Sequence, residues 1–149
     1  MVGGEHMRKF QVKKLHPDAI LPTQANPGDA GWDLYSYDDC VIKPRETIKV
    51  GTGIAVALPD GTFGAIYARS GLATKEGLRP ANCVGVCDCK YRGEYLVALH
   101  NDSYFERYVH KGDRIAQLII QDYVPCELEE VDELDSTERG EGGFGSSGH

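Results

Sequence analysis

No apolar run in the 149-residue chain approaches the ~18 residues that cross a bilayer as a helix. The start, Met1 to Met7, lacks the basic and apolar regions of a secretory leader. These absences predict no membrane partner and a cytoplasmic location, with residues 1–7 a leader or expression remnant. Positive charge is also short. The formal net charge is -7, without the basic excess of a general nucleic-acid binder, so no direct nucleic-acid binding is expected. The cysteines, Cys40, Cys83, Cys87, Cys89 and Cys126, lack a pairing pattern: they are odd in number in a chain with no export signal, which predicts free thiols. Cys83, Cys87 and Cys89 invite a zinc hypothesis, but a second pair is missing and no histidine falls in ligand spacing beside them. There is no internal repeat.

What is present is punctuation. Eighteen Gly and seven Pro break up short stretches rich in Val, Ile, Thr and Tyr, the pattern of many short strands joined by turns. One domain is expected, all-β, long enough to bury roughly two-thirds of its unfolded surface. Strands are read at 9–15, 40–42, 47–50, 53–58, 62–68, 95–99, 104–109, 114–120 and 124–131. One short helix is read after Arg69, capped by Ser70 and stopped by Gly77. From Asp132 the composition becomes Gly-rich and acidic and cannot build a core; residues 132–149 read either as a linker or as a flexible arm closing over a ligand.

Candidate chemistry concentrates in a few places. Val84 to Glu94 carries Asp88 inside an apolar run and closes on Tyr-Arg-Gly-Glu, read as a hairpin turn with Gly93 at positive φ. Asp88 is either a turn residue accepting bonds from nearby amides or a general base in a partly dry pocket with Tyr91 as one wall. Arg69 and Ser70 at the start of the short helix suit an anion such as phosphate, or are an ordinary capped surface turn. Asp33, between Trp32 and Leu34, is either buried beside a partner or a solvated loop acid. Gln117 interrupts an apolar strand and must find hydrogen-bond partners, in the core or on a ligand. In the tail, Arg139, Phe144, Ser146 and Ser147 offer cation, aromatic plate and hydroxyls.

Five stretches, taken together and in order, resemble the five motifs of the trimeric dUTPases: Asp-Ala-Gly-Trp-Asp-Leu at 29–34, Arg-Ser-Gly at 69–71, Gly-Val-Cys-Asp-Cys-Lys-Tyr-Arg-Gly-Glu at 85–94, Gly-Asp-Arg-Ile-Ala-Gln at 112–117, and Arg-Gly-Glu-Gly-Gly-Phe-Gly-Ser-Ser-Gly at 139–148. The resemblance spans residues 8–148. It implies a β jelly roll or distorted barrel over 8–131 and a C-terminal arm over 132–149. It further implies a homotrimer with shared active sites and hydrolysis of dUTP to dUMP and pyrophosphate, with Mg2+ on the triphosphate. By resemblance, Asp88 activates the water that attacks the α-phosphate, and Tyr91 packs against deoxyribose. Asn82, with the backbone around Gly85 and Val86, reads uracil. Arg69, Ser70, Gly71 and Gln117 contact phosphates. Phe144 stacks on uracil with Gly145 beside it, and Arg139, Ser146 and Ser147 surround the γ-phosphate. Asp33 holds the water shell of Mg2+ and is not a direct ligand.

The departures from the pattern are Cys87 and Cys89 flanking the acid, Ala68 before Arg69, and Trp32, read as a subunit-interface residue. Two rival readings remain alongside the zinc module. A dCTP deaminase shares the implied fold but needs a proton-shuttling Glu that Tyr95 to Leu99 does not supply. A nucleotide-sensing regulatory protein would bind dUTP to control a partner.

Overall fold

In the computed structural model, which describes residues 7–145, ten strands form three antiparallel sheets. β1 (Gln11–Lys14), β4 (Thr47–Ala57), β8 (Glu94–Asn101) and β6 (Leu78–Pro80) make one, in the order β1-β4-β8-β6. β2 (Trp32–Tyr35), β10 (Arg114–Asp122), β5 (Thr62–Tyr67) and β7 (Gly85–Asp88) make the second, in the order β2-β10-β5-β7. β3 (Cys40–Ile42) and β9 (Arg107–Val109) form a small ribbon.

The core follows from side-chain alternation. In β8, Tyr95, Val97, Leu99 and Asn101 point inward while Leu96 faces out. They meet Leu34, Ile42, Val50, Ile54, Val56, Ile66, Leu78, Ile115 and Leu118 from the other strands. Asn101 is fully buried because its amide is spoken for: Nδ2 donates to the Ile42 and Phe105 carbonyls at 2.9 and 2.8 Å, and Oδ1 accepts from the Ser103 amide at 2.9 Å.

Several expected elements differ. The strands read at 47–50 and 53–58 are one strand, β4, carrying a bulge: its register with β8 shifts between Gly51 and Ala55, and Gly53 sits at φ 71°. The strand read at 104–109 starts only at Arg107, because Asn101 and Ser103 bind the chain before it into a loop. The helix forms as a π-type turn at Leu72–Glu76; Gly77 stops it at φ 72°, but Ser70 makes no side-chain cap. The segment at 124–131 is not a strand. It is exposed, with Val124 and Leu128 at 80% and 91% accessibility, and among the described residues no strand pairs with it to complete a ladder.

Candidate active site

Two clefts collect part of the residues singled out in the sequence; Asn82, Gly85, Tyr91, Arg139 and Phe144 line neither. The first, about 390 Å³, lies where β2, β10 and the turn after β5 converge, and Asp33, Arg69, Ser70, Gly71, Arg114 and Gln117 line it. Asp33 is fixed through its backbone, bridged to Thr23 and paired with Gln117. Its carboxylate, 15% exposed, accepts from Arg69 Nε at 3.2 Å and faces Arg114 Nη1 at 3.6 Å. Gln117 donates from Nε2 to the Ala68 carbonyl at 2.9 Å, and its amide occupies the space that a side chain on Gly31 would need. A side chain at Gly31 would have to displace that amide. Two guanidiniums, an amide and a hydroxyl around one acid make a cleft suited to a polyanion carrying a hydrated cation.

Arg114 lines this cleft and was missed by the sequence reading. It precedes Gln117 by three positions, which on a regular strand puts the two on opposite faces. A register shift between Arg114 and Ala116 leaves Ile115 and Ala116 both buried and turns Arg114 to the cleft. Two successive apolar residues before Gln117 were the only sequence signal.

The second cleft, about 550 Å³, lies at the other end of β5, lined by Thr62, Phe63, Val86, Asp88, Cys89, Lys90 and Tyr123. Before it, a tight turn puts Cys83 at φ 66° and brings the Val84 amide to the Asn82 carbonyl at 2.7 Å. The Asn82 side chain thereby lies over Gly85, where a Cβ would meet its Nδ2 at 3.4 Å. β7 then runs antiparallel to β5, with Gly85 opposite Ile66 and Asp88 opposite Phe63. The Asp88 backbone carbonyl accepts from the Tyr91 amide at 3.1 Å. Its carboxylate is exposed and accepts no hydrogen bond among the described residues, so it neither acts as a turn acceptor nor sits in a dry pocket within one chain.

The anticipated hairpin is absent, since β7 pairs with β5 while β8 pairs with β4 and β6. Gly93 is not at positive φ. Tyr91 donates from its hydroxyl to the Glu94 carbonyl at 2.9 Å and stacks on Tyr95, centroids 6.3 Å apart.

One chain does not unite the two clefts. Asp88 faces Phe63 at the start of β5 and Arg69 follows its end, six residues later; at ~3.3 Å per residue that is about 20 Å. No residue lines both clefts. In the tail, Arg139 Nε donates to the Gly142 carbonyl at 2.7 Å and Phe144 is fully exposed; Ser146 and Ser147 lie outside the described residues.

The five thiols are all free. Burial pushes the Cys87 and Cys40 thiols up. Trp32 packs edge-on against Phe10 of its own chain at 5.1 Å. Among the described residues no group of three or more His, Cys, Asp or Glu is placed to hold a metal ion, and no helix is long and apolar enough to cross a membrane.

An antiparallel all-β chain with an arginine-rich anion cleft and an unpaired carboxylate in a second cleft has the makings of a nucleotide hydrolase. Comparison with known proteins makes that specific. The dUTPase family model matches residues 17–148. A deoxyuridine 5'-triphosphate nucleotidohydrolase of Rhodococcus erythropolis is 51% identical over 138 residues, covering 92% of this chain and 84% of the relative. The enzyme of the same name from Mycobacterium tuberculosis is 48% identical over 143 residues, covering 92% and 93%. Among solved structures, Staphylococcus bacteriophage 80alpha dUTPase with dUpNHpp superposes with a TM-score of 0.88 at 32% identity, covering 96% of this chain and 100% of that one. A mutant dUTPase from phage phi11 of S. aureus, described with a structural Mg(II) ion, gives 0.80 at 26% identity, covering 87% and 100%. The chain belongs to the dUTPase family, and its activity is that of a dUTP diphosphatase, the hydrolysis of dUTP.

Proposed function

We propose that the chain hydrolyses dUTP to dUMP and pyrophosphate at sites completed between the subunits of a jelly-roll homotrimer. The observation that carries this is the separation of the Arg69 cleft from Asp88 along β5, with no lining residue in common. A triphosphate seated on Arg69, Ser70, Gly71, Arg114 and Gln117 of one chain takes its base and water from the Asp88 cleft of another. The exposed 124–131 segment supports the same reading, because an apolar stretch left without a partner among the described residues offers a surface for a neighbouring chain to cover.

At such a site the Asp88 carboxylate accepts a proton from water as that water attacks the α-phosphorus, and the bond to the bridging oxygen of the β-phosphate breaks, releasing pyrophosphate. No covalent intermediate is needed. Asn82 and the backbone of Gly85 and Val86 read the uracil edge, and Tyr91 closes the sugar pocket. The arm, residues 132–149, brings Arg139, Phe144, Gly145, Ser146 and Ser147 over the nucleotide. The donor set suits Mg2+ only as an ion carried on the triphosphate, with Asp33 meeting its water shell, since both Asp33 oxygens already face arginines. Bound there, Mg2+ supplies charge neutralisation and orientation of the phosphates. The family, and a neighbour holding the dUTP analogue dUpNHpp, support this substrate. In a cytoplasmic setting the reaction limits uracil incorporation into DNA and supplies dUMP for thymidylate synthesis.

Incubation with dUTP, dCTP, dTTP or UTP and Mg2+, assayed for pyrophosphate and ammonia together, tests the reading. Pyrophosphate from dUTP alone is expected. Ammonia from dCTP, or dUTP bound without turnover, contradicts it.

A further inference from the structure

The sugar wall assigned to Tyr91 has a rigid support that its motif does not explain. Tyr91 is 45% exposed, and an exposed ring on two rotatable bonds yields to an intruding hydroxyl unless something holds it. Three contacts do. The Tyr91 hydroxyl donates to the Glu94 carbonyl at 2.9 Å. One ring face stacks on Tyr95, which is 1% exposed, at an interplanar angle of 24°. The ring also fills the space beside Gly93, where a Cβ would come within 2.6 Å of Cζ and 2.9 Å of Cε1. Gly93 has no backbone need to be glycine, because its φ lies outside the positive region. The ring is the need.

The support continues into the first sheet. The Glu94 carboxylate accepts from the Gly53 amide at 3.0 Å, and Thr52 Oγ1 donates to the Tyr95 carbonyl at 2.7 Å, both at the bulge in β4. The residues that hold Tyr91 are thus themselves fixed to a strand in the core.

We propose that Gly93 is the specificity-positioning residue of the enzyme: by leaving the space its side chain would fill, it fixes the plane of Tyr91 and so sets the preference for a deoxyribonucleoside triphosphate over its ribose counterpart. This rests on the reading of Tyr91 as the sugar wall. Gly93→Ala drives a methyl into the ring and turns it off its seat, admitting a 2′-hydroxyl.

The test measures kcat/KM for dUTP and for UTP in the wild type, Gly93→Ala, Tyr91→Ala, the double variant and Tyr91→Phe, with a thermal melt of each. The dUTP-to-UTP ratio is expected to fall at least about tenfold in Gly93→Ala and several-fold in Tyr91→Phe, which keeps the ring but loses the Glu94 anchor. In the Tyr91→Ala background Gly93→Ala is expected to change the ratio no further. A folded Gly93→Ala with the wild-type ratio overturns the proposal, as does an equal fall with and without the Tyr91 ring. If Gly93→Ala does not fold, an unchanged ratio in Tyr91→Phe overturns it instead. A wild-type ratio that survives Tyr91→Ala removes the sugar-wall reading itself, a different outcome from failure at Gly93.

Discussion

Asp33 Oδ1 accepts a hydrogen bond from Arg69 Nε at 3.2 Å while Oδ2 stands 3.6 Å from Arg114 Nη1, so one acid restrains both guanidiniums of the first cleft. On the proposed function it preorients them and competes with the triphosphate for them. Asp33→Asn keeps the shape and removes the charge. Calorimetry is expected to show tighter pyrophosphate binding without Mg2+, and kinetics a loss of Mg2+-supported turnover of ~10- to 100-fold, the usual cost of disturbing an outer-shell metal contact. Unchanged values in both assays contradict this role.

Arg114 is half-exposed, so its removal is expected to touch binding and not folding. A charge-assisted contact to phosphate is worth ~1.5–3 kcal/mol. Arg114→Ala should therefore raise the KM for dUTP about tenfold or more with its melting temperature nearly unchanged. Steady-state kinetics beside a thermal melt checks both.

Tyr95 carries a buried hydroxyl whose only polar neighbour is the weakly bonding Cys87 thiol, with no partner at hydrogen-bond geometry among the described residues; burial first, and then that thiol, push its pKa up. An unsatisfied buried donor costs stability. Tyr95→Phe deletes it while keeping the ring under Tyr91, and should stabilise the protein by about 1 kcal/mol, or ~2–4 °C in melting temperature. A lowered melting temperature would show that the hydroxyl is satisfied in solution.

Asp18 is held well below its ordinary value of 3.8, at about 2, by hydrogen bonds from Lys111 and Tyr37. Because the folded-state pKa is depressed, the stabilisation is present above about 3.8 and disappears as pH falls through about 2. The melting temperature of the wild type should exceed that of Asp18→Asn at pH 5 and converge with it near pH 2. Parallel curves across that range would assign the contact no stabilising role.

How much of this was legible in the sequence depends on whether a feature is local. Asp88 stood out as one acid in an alternating apolar run, and Gln117 as one amide in an apolar strand, because a strand's period of two exposes any exception. The Gly77 stop was legible for the same local reason. The bulges were not: Arg114 reaches the cleft only because β10 slips against β2, and β4 reads as two strands because its glycines at the bulge resemble a turn. The purpose of Gly93 was hidden because the ring it accommodates is positioned by β8 and the β4 bulge behind it. The 124–131 segment was read as a strand yet has no ladder partner among the described residues, something periodicity cannot reveal.

The central claim is that a working site draws the Arg69 cleft and Asp88 from different chains. Arg69→Ala and Asp88→Asn should each be nearly inactive, the loss of a positioned base alone costing ~10²- to 10⁴-fold. Unfolding the two variants together and refolding them as a mixture should restore about one site in four, since a neighbour pair with intact Arg69 on one chain and intact Asp88 on the other then forms at random. Activity recovered on mixing, and absent when each variant is refolded alone, is the predicted result. A mixture no more active than its components would place both residues in one chain's site and contradict the account.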